Sequence, residues 1–511
     1  MEIELKLLVD PAHHQKLIQH PLLKQYALAK PRQTALHAIY FDTADQLLRR
    51  NAVGLRVRRE NGKWIQNLKA GGGVNGGLHQ RHEWETPVDA ASLELGKLLA
   101  LLDPASPLFE LLARPSLRDS LQPLFTVEVT RQTWDFLIDG DDIEFVLDQG
   151  MIKREGLSAP ISEIELELKS GKPTRLYEAA LRLLDEVPLR PSDQSKAQRG
   201  YALGQTVAIE AVKSTAIVLE RNDSVEQGFQ KIIGNCLQQV QANEAGVLDG
   251  GYPESVHQTR VGLRRLRSAI RMFDSVIPCP PALREEIAWL SQELGVARDW
   301  DVLSESTMAR IADIPEDIPA DIPLPLLQAA IADCAKQARM QAAQVLRSSR
   351  YVRLLLSLHA WLQGVRWGDP SNPGLLRSLD TPIARFATIT LESNRHRVLR
   401  RGRRIGHLST DDLHRLRIAC KHYRYTLEFF ASRQPRKWLR KTQAALSNIQ
   451  DELGWRNDFT VADDMLRKML EEHSDLSPAI HFARGYLAAQ IREDGQALRK
   501  LWKPFRALIT L

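Results

Sequence analysis

The chain begins MEIELKLLVD, a stretch in which charged and apolar residues alternate. In a β-strand, alternate side chains point to opposite faces, so Glu2, Glu4 and Lys6 would share one face. Carboxylates that converge on one space suit a hard divalent cation such as Mg2+, and ammonium or guanidinium groups suit phosphate oxygens. A single stripe of this kind is typical of a solvent-exposed face, so its meaning depends on whether it recurs.

The same alternation recurs in four further stretches of the first 170 residues. They are LRVR at 55–58, QNLK at 66–69, RHEWE at 81–85 and EIELELK at 163–169. Five strands that mix acids and bases at spacing two favour a small closed barrel with a charged interior and helices over its apolar side. Together the acids and bases describe a site for a metal ion and a polyphosphate. Because the sequence has no GxxxxGK(S/T) motif, side chains rather than a backbone loop would hold the phosphates.

The spacing of apolar residues divides the chain into two halves. Up to about residue 205 the dominant period is two, with Gly- and Asn-rich turns and a few short helices. This pattern predicts an α+β domain with a mostly antiparallel sheet. From about residue 221 long helical patterns take over. We therefore predict a first domain at 1–205, a linker at 206–220 and an all-α domain at 221–505.

The helical half contains an internal repeat. HQTRVGLRRLR, from His257, and HRLRIACKHYR, from His414, fit one pattern. Each is followed at nearly the same offset by a second match, LGVARDWDV at 294–302 and LGWRNDFTV at 453–461. Two ordered matches indicate a duplication. The two predicted helical bundles lie near 225–365 and 380–505.

Basic residues recur at helical spacing in both copies of the repeat. One helix face gathers a histidine and several cations at every third or fourth position. In the first copy these residues are His257, Arg260, Arg264, Arg267 and Arg271, and in the second they are His414, Arg417, Lys421 and Arg424. A solvated basic face is the simpler interpretation, but mutually repelling cations gathered twice favour a polyanion-binding surface.

Composition sets the remaining bounds. Hydrophobic residues make up 43% of the 511 residues, enough for packed cores, and the net charge of +6 does not by itself indicate a polyanion ligand. The four cysteines lie far apart and form no CxxC, which argues against a disulfide framework or a thiolate metal site. We expect a reducing, cytoplasmic setting and no membrane association, because neither a signal peptide nor a run of about 18 apolar residues is evident.

Ordered motifs in residues 1–202 resemble the CYTH superfamily, the triphosphate tunnel metalloenzymes. MEIELK fits the ExExK signature, and YFDT, LRVRR, WIQNLK, RHEWE, TRQTW, IEFVLDQG, ISEIELELKSG and SKAQRGY follow in the family's order. The resemblance implies an eight-stranded antiparallel tunnel that binds a triphosphate inside. It also implies phosphoryl hydrolysis assisted by Mg2+ or Mn2+.

The resemblance assigns roles by position. The metal-binding acids would be Glu2, Glu4, Glu163 and Glu165, supported by Glu83, Glu85 and Asp148. The phosphate-binding cations would be Lys6, Arg56, Arg58, Lys69, Arg81, Arg131 and Lys196. The expected catalytic set is Glu2, Glu4, Lys6, Arg56 and Arg58. Asp42, in YFDT, we expect to end a strand or cap a turn rather than to bind metal.

The repeated motifs of the helical half resemble the CHAD domain, the conserved-histidine α-helical domain, over about residues 221–505. The resemblance implies that this half binds inorganic polyphosphate through its histidines and basic residues. Asp299 and Asp458 would orient the arginines, and a metal-binding role for these acids and the histidines is the less favoured alternative. Asn457 stands where the first copy has Arg298, so the second copy would bind less tightly there.

The combined expectation is a protein that hydrolyses inorganic triphosphate to diphosphate and phosphate, and that binds long-chain polyphosphate in its helical half. Thiamine triphosphatase and class IV adenylate cyclase activity stay open as alternatives, with Trp64, Trp84 or Trp134 as the apolar platform that either substrate needs. A non-catalytic polyphosphate-binding scaffold is a third alternative. Specific nucleic-acid binding is not expected, because no base-reading module is recognisable. The sequence leaves the oligomeric state open.

Overall fold

The chain folds into two compact units. The computed structural model describes residues 1–205, 208–312, 322–364, 373–405, 408–493 and 495–510. Residues 206 and 207, the start of the predicted linker, lie outside the described residues. The two units comprise Met1–Ala208 with Ser349–Gly364, and Ile209–Ser348 with Val365–Leu511. No helix among the described residues is long and apolar enough to cross a membrane.

The described strands of the first unit form one antiparallel sheet. They are β1 (Glu2–Val9), β2 (Arg32–Asp42), β3 (Val53–Glu60), β4 (Lys63–Asn75), β5 (Leu78–Val88), β6 (Gln122–Ile138), β7 (Asp141–Arg154), β8 (Leu157–Ser170) and β9 (Leu189–Pro191). In the sheet, β5, β4, β3, β2, β6, β7, β8 and β1 are neighbours in that order, and β1 also pairs with β5. This pairing closes an eight-stranded barrel, and β9 adds to the remaining edge of β1. The predicted antiparallel tunnel is confirmed.

Short helices accompany the barrel. They are α1 (His14–Ile18), α2 (Pro21–Tyr26), α3 (Leu47–Arg50), α4 (Leu95–Leu99), α5 (Pro107–Leu112), α6 (Pro115–Ser120), α7 (Thr174–Leu184) and α8 (Lys196–Ala202). Helix α7 packs on the apolar face of β1, where Leu5 and Leu7 are fully buried. The alternating residues Glu4 and Lys6 line the interior. The alternation in the sequence therefore separates a charged lumen from an apolar outer layer.

Tight turns join consecutive antiparallel strands. Asn61–Gly62 and Asp139–Gly140 have positive φ at both residues, the conformation of a two-residue hairpin turn whose twist matches that of the strands. Such turns fix the register of neighbouring strands. The register in turn decides which charged residues meet inside the barrel.

The second unit is helical. Its described helices are α9 (Val225–Ala242), α10 (Glu244–Asp249), α11 (Pro253–Phe273), α12 (Pro281–Asp301), α13 (Met308–Ala312), α14 (Leu324–Arg347), α16 (Pro373–Leu379), α17 (Ile383–Arg401), α18 (Thr410–Phe429), α19 (Arg436–Glu472), α20 (Ser477–Glu493) and α21 (Gly495–Thr510). The first copy of the repeated pattern lies on α11 and α12, and the second lies on α18 and α19. The predicted all-α second part is confirmed.

One further helix, α15 (Ser349–Gln363), belongs by packing to the first unit, although its sequence lies within the predicted repeat 225–365. Its residues Val352 and Leu356 are buried in the same core as Leu5 and Leu7 of β1. An amphipathic pattern identifies the buried face of a helix but not the surface that covers it. The sequence therefore carried no signal for this placement.

Candidate functional site

The barrel encloses a cavity of about 770 Å³ whose wall is mainly charged. Among the predicted tunnel residues, the wall contains Glu2, Glu4, Lys6, Arg56, Arg58, Lys69, Arg81, Glu83, Glu85, Arg131, Glu165 and Lys196. Glu163 and Asp148 are fully buried and contact Lys196 from behind the wall. The structure thus brings the whole predicted tunnel set to one place, while the roles of the individual residues stay predictions.

Strand register explains how these residues meet. On β1, Glu4 lies directly opposite Glu167 of β8, and Lys6 lies opposite Glu165. Because directly opposed residues of an antiparallel pair point to the same face, both pairs project into the lumen. On the other edge of β1, Glu2 pairs with Arg81 of β5.

Glu2 and Glu83 form an acidic pair that shares one lysine. Lys69 Nζ lies 2.6 Å from Glu2 Oε2 and 3.4 Å from Glu83 Oε1. Burial raises the pKa of Glu2 to about 7, an effect that Lys69 opposes and that the nearby Glu4 and Glu83 charges increase. For Glu83, burial also acts upward, but Lys69 and Arg56 hold the pKa below its usual value. The pair is short of positive charge, so its oxygen atoms fit a hard divalent cation.

A second acidic group, Asp148, Glu163 and Glu165, has carboxylate oxygens within 4.8 Å of one another. Lys196 Nζ lies 2.6 Å from Asp148, 2.7 Å from Glu163 and 3.0 Å from Glu165. Although burial acts to raise the pKa values of Asp148 and Glu165, the adjacent Lys196 holds both below their usual values. The three acids could hold a metal ion, but here an ammonium group takes the place that a cation would occupy.

Arg131 joins this group from β6. Its guanidinium donates to Asp148 Oδ2 at 2.7 Å and to Glu165 Oε2 at 2.9 Å. Lys6 forms a further ion pair with Glu165 and lies 3.1 Å from Glu4. Lys6 and Arg131 are therefore already bound to carboxylates, whereas Arg56 of β3 has no ion pair with a carboxylate among the described residues.

The arginines of β3 and β5 keep hydrogen-bond donors available. Arg56 donates to the Tyr40 hydroxyl at 3.2 Å, and Arg58 lies 3.0 Å from Glu60 and 3.3 Å from Glu85. The buried Nε atoms of both arginines have no hydrogen-bond partner among the described residues. Arg81 has no ion pair within the described part of the chain. Guanidinium groups with free donors in an enclosed space are suited to phosphate oxygens.

Asp42 has the structural role predicted for it. Its carboxylate accepts the backbone N–H groups of Thr43, Leu48 and Arg49, at 2.7, 2.8 and 2.9 Å. It also accepts the hydroxyl of Tyr201, on α8, at 2.8 Å. These bonds make Asp42 a cap at the start of α3, as predicted, and the expectation that it does not bind metal stays a prediction.

The sequence analysis did not assign several residues of the cavity wall. They are Arg49, Glu144, Glu167 and Lys169. Arg49 lies with its guanidinium 5.2 Å from the centre of the Tyr201 ring. Glu167 and Lys169 belong to the EIELELK alternation, so the sequence pattern already placed them on the charged face without giving them a role. Arg49 lies within the short helix α3, for which a strand pattern gives no signal.

In the helical unit, residues from both copies of the repeat form a second charged cluster. Arg260 of α11 lies 3.7 Å from Asp299 of α12, as expected for an acid that orients an arginine. Burial lowers the pKa of Arg260, and Asp458 of α19 is close enough to oppose this effect. The two copies therefore meet at one electrostatic site.

Like charges dominate this cluster. Burial lowers the pKa of Lys421 to about 7, and the positive charges of Arg417 and Arg264 lower it further. Burial likewise lowers the pKa of His257 to about 4, with Arg298 adding to the effect. Partly buried cations without enough carboxylates form a site that an anion would stabilise.

Four predicted members of the basic stripes lie differently. Arg267 and His414 are exposed, and His414 has no hydrogen bond or ion pair with any described residue. Arg424 donates to Gln450 at 2.9 Å, and Arg271 donates to His422 Nε2 at 2.9 Å. The repeated sequence pattern thus does not give the two histidines equivalent surroundings, because His257 is partly buried.

A closed antiparallel tunnel with acids and guanidinium groups inside defines the class of triphosphate tunnel proteins, here followed by a helical part. The family model described as the CYTH domain matches residues 1–201, and that of the CHAD domain matches residues 231–467. The chain belongs to both families, one in each half.

Two relatives illustrate these assignments. An inorganic triphosphatase from Haemophilus influenzae is 36% identical over 203 residues, which cover 40% of this chain and 55% of that protein. The chain thus spans only about half the length of this relative. The crystal structure of the CHAD domain from the plant Ricinus communis is 39% identical, with a TM-score of 0.51. That match covers 57% of this chain and 96% of the plant domain.

Proposed function

We propose that the barrel hydrolyses inorganic triphosphate to diphosphate and phosphate with Mg2+ or Mn2+, and that the helical unit binds long-chain polyphosphate. The observation that carries the first part is the lumen of the barrel. It sets a cation-deficient acidic pair, Glu2 and Glu83, in the same cavity as arginines with free donors, Arg56 and Arg58. The similarity of this half to an inorganic triphosphatase supports the same conclusion.

The divalent ion would be held by carboxylates near β1. Glu2 and Glu83 supply a pair short of positive charge, and Glu4 faces Glu167 across the β1–β8 register. When bound, such an ion neutralises phosphate charge and lowers the pKa of a coordinated water. Glu163, Glu165, Asp148 and Glu85 stay further candidate ligands.

The basic residues would bind and orient the phosphate chain. Arg56, Arg58 and Arg81 have donors left for phosphate oxygens, and Lys69 lies next to the proposed ion site. Lys6, Arg131 and Lys196 would exchange part of their carboxylate contacts for phosphate contacts. Cations fixed in a cavity before binding stabilise the charge that develops on the transferred phosphoryl group and on the leaving diphosphate.

The lining of the cavity favours a bare phosphate chain over thiamine triphosphate or ATP. Tyr40 and Tyr201 are the aromatic residues that the described wall contains. Tyr40 already stacks on Phe125, with ring centres 4.7 Å apart. Trp84 packs in the outer apolar core, and Trp134 is buried against Phe145. None of the three tryptophans considered as an apolar platform, Trp64, Trp84 and Trp134, therefore lines the described wall.

The second part of the proposal depends on the cluster around Lys421. Cations that lower one another's pKa favour a ligand with many closely spaced negative charges, and inorganic polyphosphate is such a ligand. A nucleic acid shares this charge, so it is the rival ligand for the same surface. A scaffold with an inactive tunnel is the rival for the whole protein.

A substrate panel tests the proposal. Phosphate release is measured with triphosphate, diphosphate, ATP, thiamine triphosphate and long-chain polyphosphate, each with and without Mg2+. We expect metal-dependent release of one phosphate from each molecule of inorganic triphosphate, and slower release from the other four compounds. Faster turnover of ATP or thiamine triphosphate would favour a rival substrate, and release of diphosphate without phosphate from ATP would favour a cyclase. Release of neither product from any of the compounds would favour the scaffold.

A further inference from the structure

The turn between β4 and β5 lies against helix α15. At Gly76, which has a φ of +63°, a Cβ atom would fall 2.2 Å from His359 Nε2 and 2.3 Å from His359 Cδ2. The imidazole of His359 therefore packs directly on the backbone of the turn, at a distance that only glycine permits. This contact joins a residue far along the chain to the barrel.

His359 is held firmly in this position. The side chain is fully buried, and its ring stacks on Tyr177 of α7 with ring centres 5.8 Å apart and an interplanar angle of 12°. Val352 and Leu356, on the same helix, lie in the core beneath α7. A buried ring between two packed helices has little freedom to move.

The other side of the same turn holds Lys6. The carbonyl of Gly77 accepts the backbone N–H of Lys6 at 2.8 Å, and the carbonyl of Lys6 accepts the N–H of Ser192 at 3.0 Å. The N–H of Gly77 donates to Asp193 Oδ1 at 2.7 Å. Lys6 also lies where this edge of β1 changes partner, since Leu5 pairs with Leu78 of β5 and Leu7 pairs with Pro191 of β9. On its other edge Lys6 lies opposite Glu165 of β8. The backbone N–H and C=O groups of Lys6 both form their hydrogen bonds on the side of the turn, with Gly77 and Ser192.

We infer that His359 is a positioning residue for Lys6: α15 presses the Gly76–Gly77 turn against β1 and thereby sets the Lys6 ammonium among Glu4 and Glu165. This inference rests on the proposed function only where it assumes that Lys6 contributes to triphosphate hydrolysis. The placement itself is independent of any activity. A second consequence is that residues 1–205 alone lack a part of the tunnel unit.

The test uses two pairs of variants of the full chain. His359→Ala removes the ring, and Arg353→Ala is its control, because Arg353 is an exposed residue of α15 that pairs with Asp185. Gly76→Ala puts a methyl group into the contact. Gly62→Ala is its control, because Gly62 also has a positive φ, +82°, but has open space around its Cβ. Strain from the φ angle is thus matched in the second pair.

The main readout is hydrogen exchange of the Lys6 amide. We expect His359→Ala and Gly76→Ala each to speed this exchange about tenfold or more relative to their controls, while barrel amides far from the turn keep their rates. When Gly76→Ala is added to His359→Ala, the further increase in the exchange rate of the Lys6 amide should be no larger than that caused by Gly62→Ala. The reason is that the ring that the methyl group would meet is absent. If triphosphate is hydrolysed, kcat should fall about tenfold with little change in KM, and His359→Gln should recover part of it.

Two results would overturn the inference. One is exchange of the Lys6 amide at the same rate in the test and control variants. The other is an equal acceleration of all barrel amides, which would make His359 a residue of general stability. If wild-type protein does not hydrolyse triphosphate but the exchange pattern is as expected, the positioning stands and the proposed function fails.

Discussion

The two charged sites of this protein treat burial in opposite ways. In the barrel, buried cations are neutralised by carboxylates, and Lys196 has a pKa raised well above its usual value because its three acidic neighbours outweigh the cost of burial. In the helical unit, Lys421 has a pKa lowered to about 7 because burial and neighbouring arginines act in the same direction. One site is closed by ion pairs, and the other has excess positive charge.

This difference indicates how each site would select its ligand. A site made of mutual ion pairs is ordered before the ligand arrives, so a ligand must replace existing contacts one by one, which favours a small substrate of fixed shape. A site of repelling cations gains most from any ligand that brings many negative charges, which favours a long polyanion and gives dependence on salt and pH. The predictions below are ordered by the size of the effect.

The largest effect should come from removing a carboxylate of the barrel. Glu4→Gln keeps the shape of the side chain but loses the charge next to Lys6, and we expect triphosphate turnover to fall by about 10²–10⁴-fold. Phosphate release at saturating Mg2+ measures this. Glu128→Gln is the matched control, since Glu128 is an exposed acid of the barrel that pairs with Lys153. Near-normal turnover of Glu4→Gln would mean that the acidic layer is structural.

The next effect should come from the helical cluster. Replacing Arg260, Arg264, Arg417 and Lys421 with alanine should weaken polyphosphate binding about a hundredfold or more, and should flatten its salt dependence by about three units of slope. Binding of labelled long-chain polyphosphate across a salt series measures both. The control with equal loss of charge replaces four exposed cations at the start of α19, namely Arg436, Lys437, Arg440 and Lys441. Equal losses in both variants would show that net charge alone matters.

A smaller effect should appear in the pH dependence of the barrel. The pKa of Glu2, at about 7, is raised above its usual value, so a proton competes with a divalent ion below pH 7 and no longer competes above it. We expect the apparent Mg2+ affinity to rise about tenfold from pH 6 to pH 8. Mg2+ titrations of turnover at several pH values measure this. A flat profile would show that Glu2 is not a ligand.

The smallest effect should be a pH dependence of polyphosphate binding, in which affinity falls rather than rises as the pH increases. Since the pKa of free Lys421 is about 7 and bound phosphates would raise it, binding should take up a proton above pH 7. Polyphosphate affinity should therefore rise about three- to tenfold as the pH falls from 9 to 7, and level off below pH 7. Calorimetry in two buffers of different ionisation enthalpy measures the uptake. Lys421→Arg should abolish it, and uptake that persists in this variant would assign the proton to another group.

Much of the barrel could be predicted from the sequence, because residues that alternate along a strand must point to opposite faces of the sheet. The stripes of Glu2, Glu4 and Lys6 and of EIELELK faced inward as soon as the strands closed into a ring. The partners of each charge did not follow, because they depend on register. The pairing of Glu4 with Glu167, and the position of Lys196 among three acids, are properties of the folded barrel.

The helical half shows the same limit more strongly. The helical character of this half was predicted correctly, and its duplication stays a prediction. The identical motif position nevertheless left His257 partly buried and His414 exposed. The placement of α15 on the barrel unit was not predicted, since its apolar face would suit any apolar surface. Contacts between segments that are distant in the chain are therefore the feature of the fold that could not be predicted from this single sequence.

The measurement that tests the central contrast most directly is a crossed assay on two full-length variants, Glu4→Gln and the quadruple alanine variant of the helical cluster. Triphosphate turnover and long-chain polyphosphate binding are measured on both. Our account predicts that Glu4→Gln loses turnover and keeps polyphosphate binding, whereas the quadruple variant keeps turnover and loses binding. Loss of both properties in either variant would contradict the claim that the barrel and the helical unit hold two independent charged sites.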